Sequence, residues 1–137
     1  MARPNRDAVI LKGIIKYCDR IHRAQERFGS SYKIFQKDRE YQSSCAMYIL
    51  QIGELSTRLT DSVKTQYNDI PWRDIIGMRN IFAHDYDSID AGKIWETLQF
   101  DIEPLREKCV QIILQSEPDF DPDEEDELLS DSEDDDR

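Results

Sequence analysis

Apolar positions recur along this chain with the 3.6-residue period of a helix, and no stretch alternates convincingly with period two. From Arg6 to about Phe28 the apolar set is Ala8, Leu11, Ile14, Ile15, Cys18, Ile21 and Phe28, with Asn5 placed to cap the helix and Gly29 to stop it. A short piece around Tyr32–Phe35 follows. Asp38 then opens a long helix striped by Tyr41, Cys45, Tyr48, Ile49, Ile52, Leu55 and Leu59; Thr60 and Asp61 break or re-cap it before a continuation to about Tyr67. The run NDIPW announces a third main helix. Asn68 or Asp69 serves as its cap, Pro71 falls in a first turn where its missing N–H costs nothing, and Trp72, Ile75, Ile76 and Met78 form its buried side. The last helix extends from Asp90 to about Gln115, and Pro104 inside it predicts a kink or a split. The pattern implies an all-α, antiparallel, up-and-down bundle of four long helices.

Charge divides the chain where the periodicity stops. Residues 117–137 hold thirteen acids against one base, Arg137, so an acidic, disordered C-terminal tail is expected after a helical domain spanning 1–116, either a solubilising appendage or a polyanion mimic that folds over a basic cleft and restrains RNA binding. Without that tail the chain is close to neutral, and residues 1–39 carry ten Lys or Arg against four acids. The net charge of −11 therefore does not argue against a polyanionic ligand. Three widely spaced cysteines without a CxxC suggest reduced thiols used as small apolar residues, as in a cytoplasmic protein. Neither a leader nor a membrane span is indicated.

The chemistry concentrates in MRNIFAHDY, residues 78–86, where Arg79, Asn80, His84 and Tyr86 flank the apolar Ile81, Phe82 and Ala83. On one straight helix Arg79 and His84 would point about 140° apart. Either the helix ends near Phe82–Ala83 and the following turn brings His84 back, or a second copy of the chain completes the site. His84 can shuttle a proton near neutral pH, Arg79 offers a charged fork matched to phosphate, Asn80 can orient either group, and Tyr86 brings a hydroxyl. This is a metal-free kit for phosphoryl chemistry, and RNA supplies its own nucleophile in the 2′-OH. An Arg at a helix end also serves as a surface ion pair, here with Asp74 or Asp85.

The segments IPWRDIIGMRNIFAHDY and IWETLQFDIEPL, with IGEL at 52–55, closely resemble the HepT-like family, also called DUF86, of the HEPN superfamily. Its RxxxxHxY motif is filled here by Arg79, His84 and Tyr86, with Asn80 following the Arg. The resemblance covers roughly residues 6–115 and leaves out the acidic tail and the basic character of the first helix. It implies a four-to-five-helix HEPN bundle that forms a homodimer, with both protomers' motifs lining one cleft. It also implies a metal-independent endoribonuclease toxin of a two-gene toxin–antitoxin module, needing no cofactor. Arg79 and His84 would be the catalytic pair and Asn80 a supporting residue. Tyr86 would be the acceptor of AMP from a minimal, MntA-like nucleotidyltransferase antitoxin. The alternative is a non-catalytic HEPN subunit that binds nucleotide, RNA or that partner.

Other features point to packing. Cys18 and His22 share a helix face as half of a metal site would, yet Cys45 and Cys109 sit on apolar stripes and suit the core better. His22 beside Arg20 and Arg23 suggests a basic surface able to follow an RNA backbone. Trp72 and Trp95 are expected as core anchors, and Tyr32 and Phe35 at a dimer interface.

Overall fold

The computed structural model describes residues 5–82 and 90–124, and every regular element in that range is helical. Helix α1 spans Arg6–Phe28, α2 Tyr32–Lys37, α3 Arg39–Ser56, α4 Asp61–Gln66 and α5 Trp72–Gly77, followed by a 3₁₀ turn Met78–Phe82; α6 spans Ala91–Phe100 and α7 Ile102–Ser116. The fold is all-α, as the periodicity implies. No helix among the described residues is long and apolar enough to cross a membrane.

The boundaries follow local chemistry. The Asn5 side chain accepts from the Ala8 N–H to start α1, and Gly29, at φ 115°, ends it by donating its N–H to the Gln25 carbonyl. That positive φ is why glycine stands there. Asp38, Thr60 and Asp90 cap α3, α4 and α6 through their side-chain oxygens. Thr60 is itself held by Asp7, whose carboxylate accepts from the Thr60 N–H and hydroxyl at 2.9 and 2.8 Å.

Two elements differ from their expected form. Neither Asn68 nor Asp69 caps α5; Pro71 occupies the cap position, and the element has one six-residue α segment before it tightens into the 3₁₀ turn. The third long helix is therefore short. The last helix does split, but at Asp101, three residues before Pro104. A proline in a continuous helix would drive its ring against the carbonyl four residues back, that of Phe100. Ending α6 at Phe100 removes the clash and puts Pro104 in the first turn of α7, where no N–H is needed.

The core lies between α1, α3 and α7, with α5, the 3₁₀ turn and α6 closing it over α3. α1 and α7 run antiparallel, joined along their length by Asn5–Ser116, Asp19–Arg106 and His22–Glu103. At the α1–α3 end, Phe28 and Phe35 pack on Tyr41, which is fully buried and donates its hydroxyl to the Gly29 carbonyl at 3.0 Å. Burial pushes the Tyr41 phenol up to about 12. Phe35 is also fully buried and touches Trp95, so it belongs to this chain's own core and not to an interface between copies. Tyr32 lies beside Trp95 and stays partly exposed. Trp72 and Trp95 pack in or against the core as expected. All three cysteines are buried, and burial pushes the Cys45 and Cys109 thiols up to about 12.

The acidic region opens with an ordered segment. Residues 117–124 fold back on α1 and α7: Glu117 pairs with Lys12 at 2.7 Å, and Phe120 packs on the core edge under the Lys12 ammonium. Arg106 donates to the Pro122 carbonyl and the Asp123 carboxylate. Residues 125–137, where most of the expected tail falls, lie outside the described residues.

Candidate active site

Arg79 and Asn80 project from the 3₁₀ turn that follows α5, and both are exposed. The α-helix ends at Gly77, so the unbroken helix that would have set Arg79 and His84 about 140° apart does not exist. His84 and Tyr86, the other two motif residues, lie outside the described residues, as does Asp85, one of the ion-pair partners considered for Arg79.

The turn is positioned by a close approach of two backbones. A Cβ on Gly53 of α3 would stand 3.0 Å from the Ile75 carbonyl oxygen and 3.1 Å from the Arg79 amide nitrogen. Only glycine lets α5 and the 3₁₀ turn lie this deep against α3. Below them Ile75 and Trp72 are buried, and the Trp72 indole N–H donates to the Tyr67 carbonyl at 3.2 Å. Arg79 is thus an exposed side chain on a backbone fixed from behind.

Asn80 lines a cleft of about 310 Å³ between the 3₁₀ turn and α6, together with Ile49, Met78, Asp90, Lys93 and Thr97. Asp90 on this cleft is also the cap of α6. The apolar floor of the cleft is set by Ile49 and Ile94, both buried, and among the described residues its rim carries Asp90 and Lys93. Lys93 escaped the sequence reading, because nothing in the run DAGKIW marks it apart from any solvated lysine.

Gly53 escaped too, as a positioning residue. Its signal was present: a glycine inside an otherwise well-formed helix weakens that helix unless something must approach it. His22 bonds to Glu103 at 3.2 Å across α1 and α7, while the Cys18 thiol is buried. Among the described residues no group of three or more His, Cys, Asp or Glu is arranged to hold a metal ion.

Comparison with known proteins adds a second line of observation. The family model described as "Ribonuclease HepT-like" matches residues 14–112, a span that includes all four motif positions. The chain is 34% identical over 89 residues to "Putative RNase TTE0752" of Caldanaerobacter subterraneus subsp. tengcongensis, covering 65% of this chain and 79% of that one. It is 25% identical over 111 residues to "Putative RNase MJ1216" of Methanocaldococcus jannaschii, covering 80% and 90%. It is also 30% identical over 77 residues to "Probable ribonuclease HepT" of Thermococcus cleftensis, covering 56% and 70%. No solved structure matches the chain.

Proposed function

From the premise that this chain belongs to the HepT-like ribonuclease family, we propose that it is a metal-independent endoribonuclease toxin, with Arg79 and His84 as its catalytic pair. The observation that carries the reading is the fixed, exposed Arg79 on a turn held against Gly53, inside the span that matches the family. The backbone contact fixes where the Arg79 side chain starts, and a positive charge held near developing negative charge stabilises a transition state.

In this mechanism a His84 imidazole removes the proton from a ribose 2′-OH. The 2′ oxygen attacks the adjacent phosphorus, and the P–O5′ bond breaks. The departing O5′ takes a proton from a second imidazole, the partner's His84 in a homodimer whose two motifs share one cleft. The products are a 2′,3′-cyclic phosphate and a 5′-hydroxyl. Arg79 neutralises the non-bridging oxygens as charge builds on them, and Asn80 orients the phosphate or the imidazole. DNA lacks the 2′-OH and is spared.

Tyr86 is the regulatory position of the same site. AMP transferred to its hydroxyl by an MntA-like minimal nucleotidyltransferase would put a bulky anion beside Arg79, competing with RNA for charge and space. The test uses two variants. Arg79→Ala is expected to lower RNA cleavage by about 10²–10³-fold with its thermal unfolding unchanged. Tyr86→Phe, incubated with such a transferase and ATP, is expected to gain no AMP by mass and to stay active where wild type is silenced. Full cleavage by Arg79→Ala would remove the arginine from the mechanism.

A further inference from the structure

One face of α1, half-buried at Lys12, Lys16 and Arg20 and exposed at Arg23 and Arg27, carries charge in register. Lys12, Lys16, Arg20, Arg23 and Arg27 follow one another at intervals of four, four, three and four residues. At about 100° per residue they fall within an arc of roughly 80°, and the stripe they form is about 22 Å long. Two grooves flank it and share Arg23 and Glu26. The first runs toward α7 and also holds Lys12, Lys16 and Arg106; the second runs toward α3 and also holds Arg20, Arg27, Ser44 and Tyr48.

Aromatic rings support the cations. Lys16 Nζ and the Arg20 guanidinium lie 5.4 and 5.5 Å from the centre of the Tyr17 ring, and Arg27 lies 5.6 Å from Phe28. Tyr17 in turn rests against Tyr48. Two acids edge the stripe on the α7 side, Asp19 and Glu26, and Asp19 is already engaged by Arg106 at 2.7 Å. The Lys12 end is covered by the chain itself: Glu117, Phe120, Asp121, Asp123 and Glu124 lie over Lys12 and Arg106. A polyanion already sits on one end of the stripe, and it belongs to the protein.

We propose that the cationic stripe of α1 is the track on which single-stranded RNA lies, and that segment 117–124 occupies one end of it as an intramolecular competitor. The choice of RNA rests on the ribonuclease reading; the track and its occupant rest on charge, spacing and contact. Cations at regular intervals along a groove suit a flexible phosphodiester backbone without reading its sequence. The strap competes through like chemistry, carboxylates in place of phosphates, and Phe120 anchors it.

The test uses the full chain and a fluorescent 2′-O-methyl oligoribonucleotide of twelve residues, which has no free 2′-OH to cleave. Binding is followed by anisotropy from low to high salt. Lys16→Ala/Arg23→Ala/Arg27→Ala is expected to bind about tenfold or more weakly at low salt, with the log–log salt slope smaller by about 2, three phosphate contacts at roughly 0.7 each. Phe120→Ala/Asp121→Asn/Asp123→Asn is expected to bind about threefold or more tightly at low salt and like wild type at high salt, where screening removes the competition. Asp74→Asn/Glu96→Gln, an equal charge change on α5 and α6, is the comparison and is expected to bind like wild type.

Unchanged affinity and slope in the triple alanine variant, with its circular dichroism intact, would overturn the track. A shift in its sedimentation without a change in probe binding would overturn it too, by making the stripe a contact between copies. Equal tightening by the strap and comparison variants would overturn the competitor. The uncleavable probe keeps these results apart from the nuclease question: loss of binding in the stripe variant supports the track whether or not wild type cuts ordinary RNA.

Discussion

Gly53 illustrates how a residue with no chemistry of its own can govern one that has. Adding a methyl group there presses on the Ile75 carbonyl and the Arg79 amide, both backbone atoms that cannot swing aside. Overpacking of this kind costs about 1–3 kcal/mol, while replacing a mid-helix glycine by alanine returns up to about 1 kcal/mol in propensity. The gain offsets only part of the cost, so Gly53→Ala is expected to be destabilised by up to about 2 kcal/mol and to remain folded at room temperature. The shift it forces on the Arg79 backbone, a few tenths of an ångström, should also appear in catalysis, where misplacement of a catalytic group is costly. Cleavage reduced by several-fold or more at a temperature where the variant is fully folded is the expected outcome. Full activity would mean that the contact with α3 does not position Arg79.

At the scale of elements, the break between α6 and α7 carries an electrostatic cost. Burial raises the Asp101 carboxyl above the usual aspartate range, and Glu96 and Asp74 push it the same way. A carboxyl that holds its proton more tightly in the fold than in the unfolded chain destabilises the fold when ionised. That penalty is full at neutral pH and fades as pH falls through the raised value. Asp101→Asn removes the charge with almost no change in side-chain size, and no side-chain cap is lost, because Asp101 makes none. It is expected to raise the melting temperature at pH 7, with the gain shrinking toward acid pH; a gain independent of pH would contradict this account.

Much of the element pattern was legible in the sequence because caps and stops are local: Asn5, Gly29, Asp38, Thr60 and Asp90 each act within four residues of where they stand. What was not legible is what depends on distant partners. The shortening of α5 and its passage into a 3₁₀ turn follow from packing against Gly53, over twenty residues away. Phe35 looked like a surface aromatic because its burying partners, Tyr41 and Trp95, come from two other helices. That an acidic tail could cover a basic surface was legible from charge; that residues 117–124 do so against Lys12 and Arg106 depends on Phe120 packing at the core edge, which charge alone does not show. RxxxxHxY marked Arg79, His84 and Tyr86, with Asn80 beside the Arg; of these the described residues include Arg79 and Asn80, and the structure adds what packs behind them.

For the whole molecule, the proposed mechanism needs two copies of the chain. Because the shared cleft uses both His84 imidazoles, one as base and one as acid, a dimer of one wild-type and one His84→Ala protomer is expected to be nearly inactive. Equal amounts randomly exchanged by co-refolding or co-expression should then keep about a quarter of wild-type activity, the share of dimers with both imidazoles. About half of wild-type activity would place a complete site within each protomer. The central claim is tested most directly by incubating wild-type and His84→Ala protein with total RNA in excess EDTA and mapping the new termini. Cleavage by wild type alone, leaving 2′,3′-cyclic phosphate and 5′-hydroxyl ends, is the expected result. Undiminished cleavage by His84→Ala, or none by wild type whose Tyr86 is unmodified by mass, would contradict it.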